Sequence, residues 1–136
     1  MRKHKGQAIV EFALVLPLFL LMIFGIIYSG MMFHDYSTIS NIARATTREA
    51  AVFAGGEDEL GEIADHYKER LNNGLLTSFY IPVGDNPIVI TQDGDVIQTT
   101  INMQLNVNGF FVDMILPKAF GVRYYMQKEP YTNSPP

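Results

Sequence analysis

Three residues near the start of the chain carry its most distinctive chemistry: Gly6, Gln7 and Glu11. Glu11 is the one charged side chain between Gln7 and Phe33, and a carboxylate inside hydrocarbon is costly unless a positive partner neutralises it. If the chain is cut after Gly6, Gln7 becomes the new N-terminus and supplies an ammonium group. Glu11 can then pair with the ammonium group of a neighbouring subunit, displaced along a bundle of helices. Such a pair makes sense only in an assembly.

Glu11 also has a simpler interpretation. In a plain signal anchor, a glutamate near the start of the apolar stretch lies at the cytoplasmic interface and is solvated. The first interpretation requires proteolysis after Gly6, whereas the second keeps the chain uncut.

The uncharged stretch from Phe12 to Phe33 is long enough to cross a membrane. As a helix it reaches roughly 33 Å, and the hydrocarbon core of a bilayer is about 30 Å thick. Pro17 interrupts the stretch, which membrane helices tolerate. A conventional signal peptide has an apolar core of only about 7–15 residues, followed by a small-residue cleavage site. The longer stretch found here predicts a membrane anchor instead.

Basic side chains precede this stretch at Arg2, Lys3 and Lys5. A basic flank stays in the cytoplasm, so the C-terminal part is expected outside the inner membrane. Loss of the three basic side chains would take the formal charge from −4 to −7. An acidic exported domain argues against nucleic acid and against anionic lipid head groups as partners.

The predicted organisation has four parts. A cytoplasmic leader occupies residues 1–6, the transmembrane half of the N-terminal helix residues 7–33, an extracytoplasmic α+β domain residues 34–128, and a flexible tail residues 129–136. The chain has no cysteine. The exported domain must therefore rely on its own core or on partners for stability.

The helical pattern continues past the apolar stretch. From His34 to Ala54 an apolar stripe recurs at helical spacing until Gly55-Gly56, so one helix is predicted to run from the membrane into the domain. A second helix is predicted between the acidic Glu57-Asp58-Glu59 and Asn72-Asn73-Gly74. The first stripe comprises Ile39, Ile42, Ala43, Thr46, Ala50 and Phe53, and the second comprises Leu60, Ile63, Ala64, Tyr67 and Leu71.

The remaining residues predict a small antiparallel sheet, and hence an α+β fold. Short β-prone runs lie at Leu75–Val83 and Ile88–Gln92, followed by the hairpin signal Asp93-Gly94. Apolar and polar residues alternate from Ile97 to Asn108, and again from Phe120 to Met126. One face of this sheet is expected to pack on the helices.

One apolar segment of the sheet region has more than one interpretation. Phe110 to Leu116 either folds back on the sheet or forms a surface patch for a partner or the membrane. Packing in the core is the default, because large exposed apolar patches are unusual.

The sequence lacks the common patterns of enzymes, including G-x-S-x-G, H-E-x-x-H, a P-loop and a cysteine nucleophile. His4, His34 and His66 have no ligand spacing, so no metal site is predicted. Asp93 and Asp95 lack the further acidic ligands of an EF-hand, and a turn explains them better than calcium does. We expect a protein without catalytic activity and without a cofactor.

The string GQAIVEFALVLPLFLLMIFGIIYSG, which begins at Gly6, resembles the N-terminus of the TadE/TadG family of tight-adherence pseudopilins. The resemblance rests on the basic leader, on G-x-x-x-x-E-F, on Pro17 and on the later glycines. It implies cleavage by a prepilin peptidase between Gly6 and Gln7. In this scheme Gly6 lets the peptidase approach the backbone, and Glu11 sets the register between subunits.

The same resemblance implies a minor pilin or pseudopilin of an adhesive Tad (Flp-type, type IVb-like) pilus. Its partners would be the major Flp-type pilin, other TadE/TadF/TadG-like pseudopilins and an inner-membrane assembly platform. The runner-up is a single-pass membrane-anchored module that binds or senses a ligand outside the membrane. An anchored periplasmic enzyme is the third alternative.

Overall fold

The structure, a computed structural model, describes residues 3–53, 56–77 and 79–128. Its helices and strands follow one another in the order α1 (Lys3–Phe53), α2 (Glu57–Asn72), β1 (Tyr80–Pro82), β2 (Ile88–Asp93), β3 (Val96–Leu105), α3 (Phe110–Ile115) and β4 (Ala119–Gln127). The strands form one four-stranded antiparallel sheet. The predicted α+β class is confirmed.

Helix α1 is 51 residues long and passes without a break from the apolar stretch into the domain. At 1.5 Å per residue, its length is about 76 Å. Pro17 lies inside it, and the helix continues even though proline has no amide hydrogen to donate. The predicted continuation of the apolar helix into the domain is therefore confirmed. Gly55 of the predicted stop signal lies outside the described residues.

Strand β3 is the centre of the sheet. On one side it pairs with β4, in the register Ile101↔Val122. On the other side it pairs with both β2 and β1, which lie one after the other along the same edge. The β2–β3 hairpin closes at Asp93↔Val96, and Gly94 has a φ of +58°, which glycine adopts without the strain other residues would suffer. The hairpin predicted at Asp93-Gly94 is confirmed.

The core lies between one face of the sheet and the two longer helices. In β3 the alternating residues Ile97, Thr99, Ile101 and Met103 are fully buried, as the period-two pattern predicted. Both predicted helical stripes face this core. Helix α1 contributes Ile39, Ile42, Ala43, Thr46 and Ala50, and α2 contributes Leu60, Ile63, Tyr67 and Leu71.

The first predicted strand is shorter than its β-prone run suggested. Only Tyr80–Pro82 pairs with β3. Upstream, the backbone amide and the hydroxyl of Thr77 bond to the side chain of Asp35 on α1. Because this tie occupies the amide of Thr77, the segment before β1 follows α1 instead of extending the strand.

The predicted apolar connector after β3 folds into the short helix α3. Val112 and Leu116 are buried, whereas Phe110 and Met114 are exposed. Both alternatives proposed for this segment therefore hold in part, since one face packs in the core and the other forms a surface.

Some predictions concern residues outside the described part of the chain. Arg2 and the predicted tail at 129–136 are among them, as are the side chains of Lys3 and Lys5. The cytoplasmic orientation of the leader and the looseness of the tail stay predictions.

Candidate processing and anchoring site

Gly6 lies in the first turn of α1. A Cβ placed there would meet no atom within 4 Å, so the position is open. The first four amide groups of a helix have no acceptor within the helix, and helix ends unwind at low cost. The peptide bond between Gly6 and Gln7 therefore lies where a peptidase could bind the backbone in an extended form.

Gln7 and Glu11 lie four residues apart on one face of α1. The side-chain Nε2 of Gln7 donates a hydrogen bond to Oε1 of Glu11, at 3.1 Å. This bond satisfies one carboxylate oxygen, but an amide carries no charge to neutralise the carboxylate. Both side chains are exposed, so the charge of Glu11 is open to a partner from another chain.

The most apolar part of α1 beyond Glu11 has no cover from the rest of the described chain. Within Gly6–Val52 the helix is long and apolar enough to cross a membrane, and none of its most apolar window is buried. Leu14 is 75% exposed and Leu18 is 69% exposed. A helix in the core of a soluble protein would bury such side chains, so α1 is a candidate membrane anchor.

Asp35 ties the domain to α1 just beyond the apolar stretch of this candidate anchor. The side chain is fully buried, and it accepts bonds from the amide of Thr77 at 2.8 Å and from its hydroxyl at 2.7 Å. Nδ1 of His34 lies 3.5 Å from the same carboxylate. Asp35 thus joins α1 to the segment that precedes β1, across 42 positions of sequence.

Sequence reasoning missed Asp35, although a signal for it was present. Asp35 lies four residues before Ile39, and it therefore extends the apolar stripe of α1 by one turn. A carboxylate on a buried stripe requires hydrogen-bond donors, since burial without partners costs several kcal/mol. The stripe could have identified Asp35 as buried, but not Thr77 as its partner.

Aromatic residues that follow Thr77 in the chain make further contacts near the Asp35–Thr77 bonds. The rings of Tyr28 and Phe79 lie 5.6 Å apart between centroids. The hydroxyl of the buried Tyr80 donates to the carbonyl of Pro117 at 2.9 Å. Burial raises the pKa of Tyr80, and the nearby carboxylate of Asp35 raises that pKa further. The phenol therefore stays neutral and keeps its hydrogen bond.

Replacing Asp35 by alanine is expected to lower the free energy of unfolding by about 2 kcal/mol, because it leaves the amide of Thr77 without its charged acceptor. Urea unfolding in detergent, followed by circular dichroism, measures the change. Asp35→Asn is the matched control, since its amide can accept from the Thr77 amide and donate to the hydroxyl. We expect its loss to be under about 1 kcal/mol. A loss of that small size in Asp35→Ala as well would show that the tie does not stabilise the fold.

Other candidate sites gain little support from the geometry. Among the described residues, no group of three or more histidine, cysteine, aspartate or glutamate side chains could hold a metal ion. Asp93 and Asp95 flank the turn at Gly94, and the backbone carbonyl of Asp95 accepts a bond from the amide of Lys128 at 2.6 Å. That carbonyl serves to close the sheet.

The structure thus consists of one long apolar helix, the candidate anchor, which continues unbroken into a small α+β domain. The family model described as TadE-like protein matches residues 6–48. The match covers about the N-terminal third of the chain, and that part is therefore similar to TadE-like proteins. Searches of curated proteins and of solved structures found no match.

The matched residues contain the proposed processing residues and Asp35, but not Thr77, to which Asp35 bonds. The match begins at Gly6 and extends into the part of α1 that packs in the domain. It includes Gln7, Glu11 and Asp35, whereas α2 and the sheet lie outside it.

Proposed function

We propose that this chain is a minor pilin or pseudopilin that a prepilin peptidase cleaves after Gly6 and that takes part in assembling a Tad-type adhesive pilus. The proposal rests on one observation: the family match and the exposed apolar surface of α1 begin at nearly the same residue. The TadE-like match begins at Gly6, and the uncovered apolar surface of α1 begins directly after it.

Before assembly, α1 holds the chain in the inner membrane. Arg2, Lys3 and Lys5 keep the leader in the cytoplasm, and the domain lies outside. Cleavage then removes the leader and creates the ammonium group of Gln7. The bond between the side chains of Gln7 and Glu11 is consistent with this step, because it places the carboxylate on the same face of α1 as the residue that becomes the new N-terminus.

In the assembly, Glu11 pairs with the ammonium group of a neighbouring subunit and so sets the register between helices. The apolar surface of α1 leaves the lipid and packs against the helices of other pilins. Because lipid tails are as apolar as leucine, van der Waals packing and polar pairs must drive this association. A charge pair between helices suits that need.

The size of the domain supports a minor rather than a major pilin. Major Flp-type pilins consist of little more than the N-terminal helix, whereas this chain continues into α2 and a four-stranded sheet. The proposed partners are the peptidase, the major Flp-type pilin, TadE/TadF/TadG-like pseudopilins and the inner-membrane assembly platform. The proposed role is structural and not catalytic.

The alternative function, a membrane-anchored binding module, has one observation in its favour. An open groove of about 740 Å³ lies between α2 and β2, with Gly61, Ala64 and Ile90 among its lining residues. Polar and apolar side chains both line it, as in many ligand sites.

The two functions predict different locations for the protein. For a pilus component, immunoblotting should find the chain in the sheared filament fraction or in a membrane complex that contains the other pilins. Recovery from membranes as a separate protein, with normal pili in its absence, would contradict the proposal and favour the binding module.

A further inference from the structure

Helix α3 lies at the end of the domain that faces the membrane anchor, as the direction of β4 shows. The rings of Tyr36 and Phe120 lie 6.0 Å apart, and the guanidinium of Arg44 lies 5.2 Å from the ring of Tyr124. Strand β4 therefore runs along α1 in the same direction, away from the apolar stretch. Since α3 directly precedes β4, it lies on the side of the apolar stretch.

Hydrogen bonds hold both ends of the segment that contains α3 near the end of the apolar stretch. The amide of Asn106 donates to the carbonyl of Phe79 at 2.8 Å, and the amide of Leu105 donates to the carbonyl of Lys118 at the same distance. Phe79 in turn contacts the ring of Tyr28. The segment between β3 and β4 thus leaves and returns beside the outer end of the anchor.

The two faces of α3 differ sharply in their exposure to solvent. Val112 and Leu116, four residues apart, are buried. Phe110 and Met114, also four residues apart, are 79% and 58% exposed. Phe110 is thus more exposed than Leu14 of the apolar stretch, at 75%. The spacing places Phe110 and Met114 side by side, so together they form one apolar surface.

We propose that this surface, Phe110 with Met114, inserts into the interfacial zone of the outer leaflet while the protein is in the membrane. The inference rests on the membrane anchoring within the proposed function. A helix that enters hydrocarbon near Ala8 emerges about 20 residues later, close to Tyr28, and tyrosine favours the membrane interface. The apolar surface of α3 therefore lies at the depth where α1 leaves the hydrocarbon.

Apolar contact, and not charge, drives the proposed insertion. Asp113 lies on α3 and is exposed, and the whole chain is acidic. Attraction to anionic head groups therefore cannot supply the binding. Insertion is expected in zwitterionic lipid and should persist in high salt, because salt screens charges but does not weaken apolar burial.

The chain has no tryptophan, so single tryptophans can report on the position of α3. Phe110→Trp and Met114→Trp are prepared in the full chain, one copy per phosphatidylcholine nanodisc. We expect blue-shifted emission and at least a twofold loss of fluorescence when the acyl chains are brominated. Val96→Trp is the matched control, because Val96 is exposed and pairs with Gln127 at the far end of β4.

A further variant separates this inference from the anchoring on which it rests. Phe19→Trp lies in the apolar stretch and should be quenched if α1 spans the bilayer. Quenching of Phe19→Trp without quenching at positions 110 and 114 would overturn the inference and leave the anchoring intact. Blue-shifted emission without quenching would mean burial in protein, which also overturns it. Failure of Phe19→Trp itself would refute the anchoring, and this inference with it.

Discussion

Replacing Glu11 by alanine is expected to leave the protein in the membrane and to lower the yield of assembled pili at least tenfold. The substitution removes a charge from an apolar helix, so insertion is not impaired. Assembly loses the pair between Glu11 and a neighbouring N-terminus. Removing one partner of a buried charge pair costs about 2–5 kcal/mol, and each 1.4 kcal/mol corresponds to about a tenfold change in affinity. Sheared pili are quantified against membrane-extracted protein.

Two control variants give this prediction its specificity. Glu11→Gln keeps the shape of the side chain and can still bond to Gln7, but it carries no charge, so we expect it to fail as well. Leu14→Ala shortens a neighbouring exposed side chain without removing a charge, so we expect it to lower the pilus yield less than Glu11→Ala does. Normal pili from Glu11→Gln would show that the carboxylate charge has no role in assembly.

Replacing Gly6 by isoleucine is expected to reduce processing to under about a tenth of the wild-type level. A branched side chain keeps the peptidase from the backbone of the scissile bond. The fold should tolerate the change, since a Cβ at Gly6 meets no atom within 4 Å and isoleucine costs a helix less than glycine does. The N-terminal mass of the membrane-extracted protein measures the effect, and uncut protein should accumulate in the membrane.

The helix offers a matched glycine as a control for the processing site. Gly25 is equally open but lies far from the proposed cut, so Gly25→Ile should be processed normally. Gly6→Ala should retain most of the cleavage, because its side chain is small. Efficient processing of Gly6→Ile would show that the peptidase does not act at this bond.

Local periodicity explains why much of the fold was predictable. The stripe from Ile39 to Ala50 and the alternation from Ile97 to Met103 are repeats that depend only on neighbouring residues. The turn at Gly94 and the end of α2 likewise follow from short local signals, since Gly74, just beyond α2, has a φ of +74°.

The parts that could not be predicted depend on contacts between distant residues. Asp35 and Thr77 are 42 positions apart, and no local pattern pairs them. Their bond holds the segment before β1 against α1, although the sequence of that segment is β-prone. Helix α3 has six residues, too few to show a helical period, so its segment gave no clear prediction.

The residues of the candidate site also differ in whether the sequence predicted them. Gly6, Gln7 and Glu11 were predicted from their types, their spacing and a resemblance to a family. The match to residues 6–48 supports that resemblance, and the roles of the three residues stay predictions. Asp35 was missed, although its bonds to Thr77 tie the segment before β1 to α1. Polar residues on a buried stripe near a membrane boundary are therefore worth testing for distant partners.

The first residue of the protein in the cell tests the central claim most directly. Intact-mass spectrometry of the membrane-extracted or filament-bound chain gives that residue without any substitution. The account predicts a chain that begins at Gln7, with the leader through Gly6 removed. A chain that still begins at Met1 would contradict it, because the ammonium group that neutralises Glu11 would then never form.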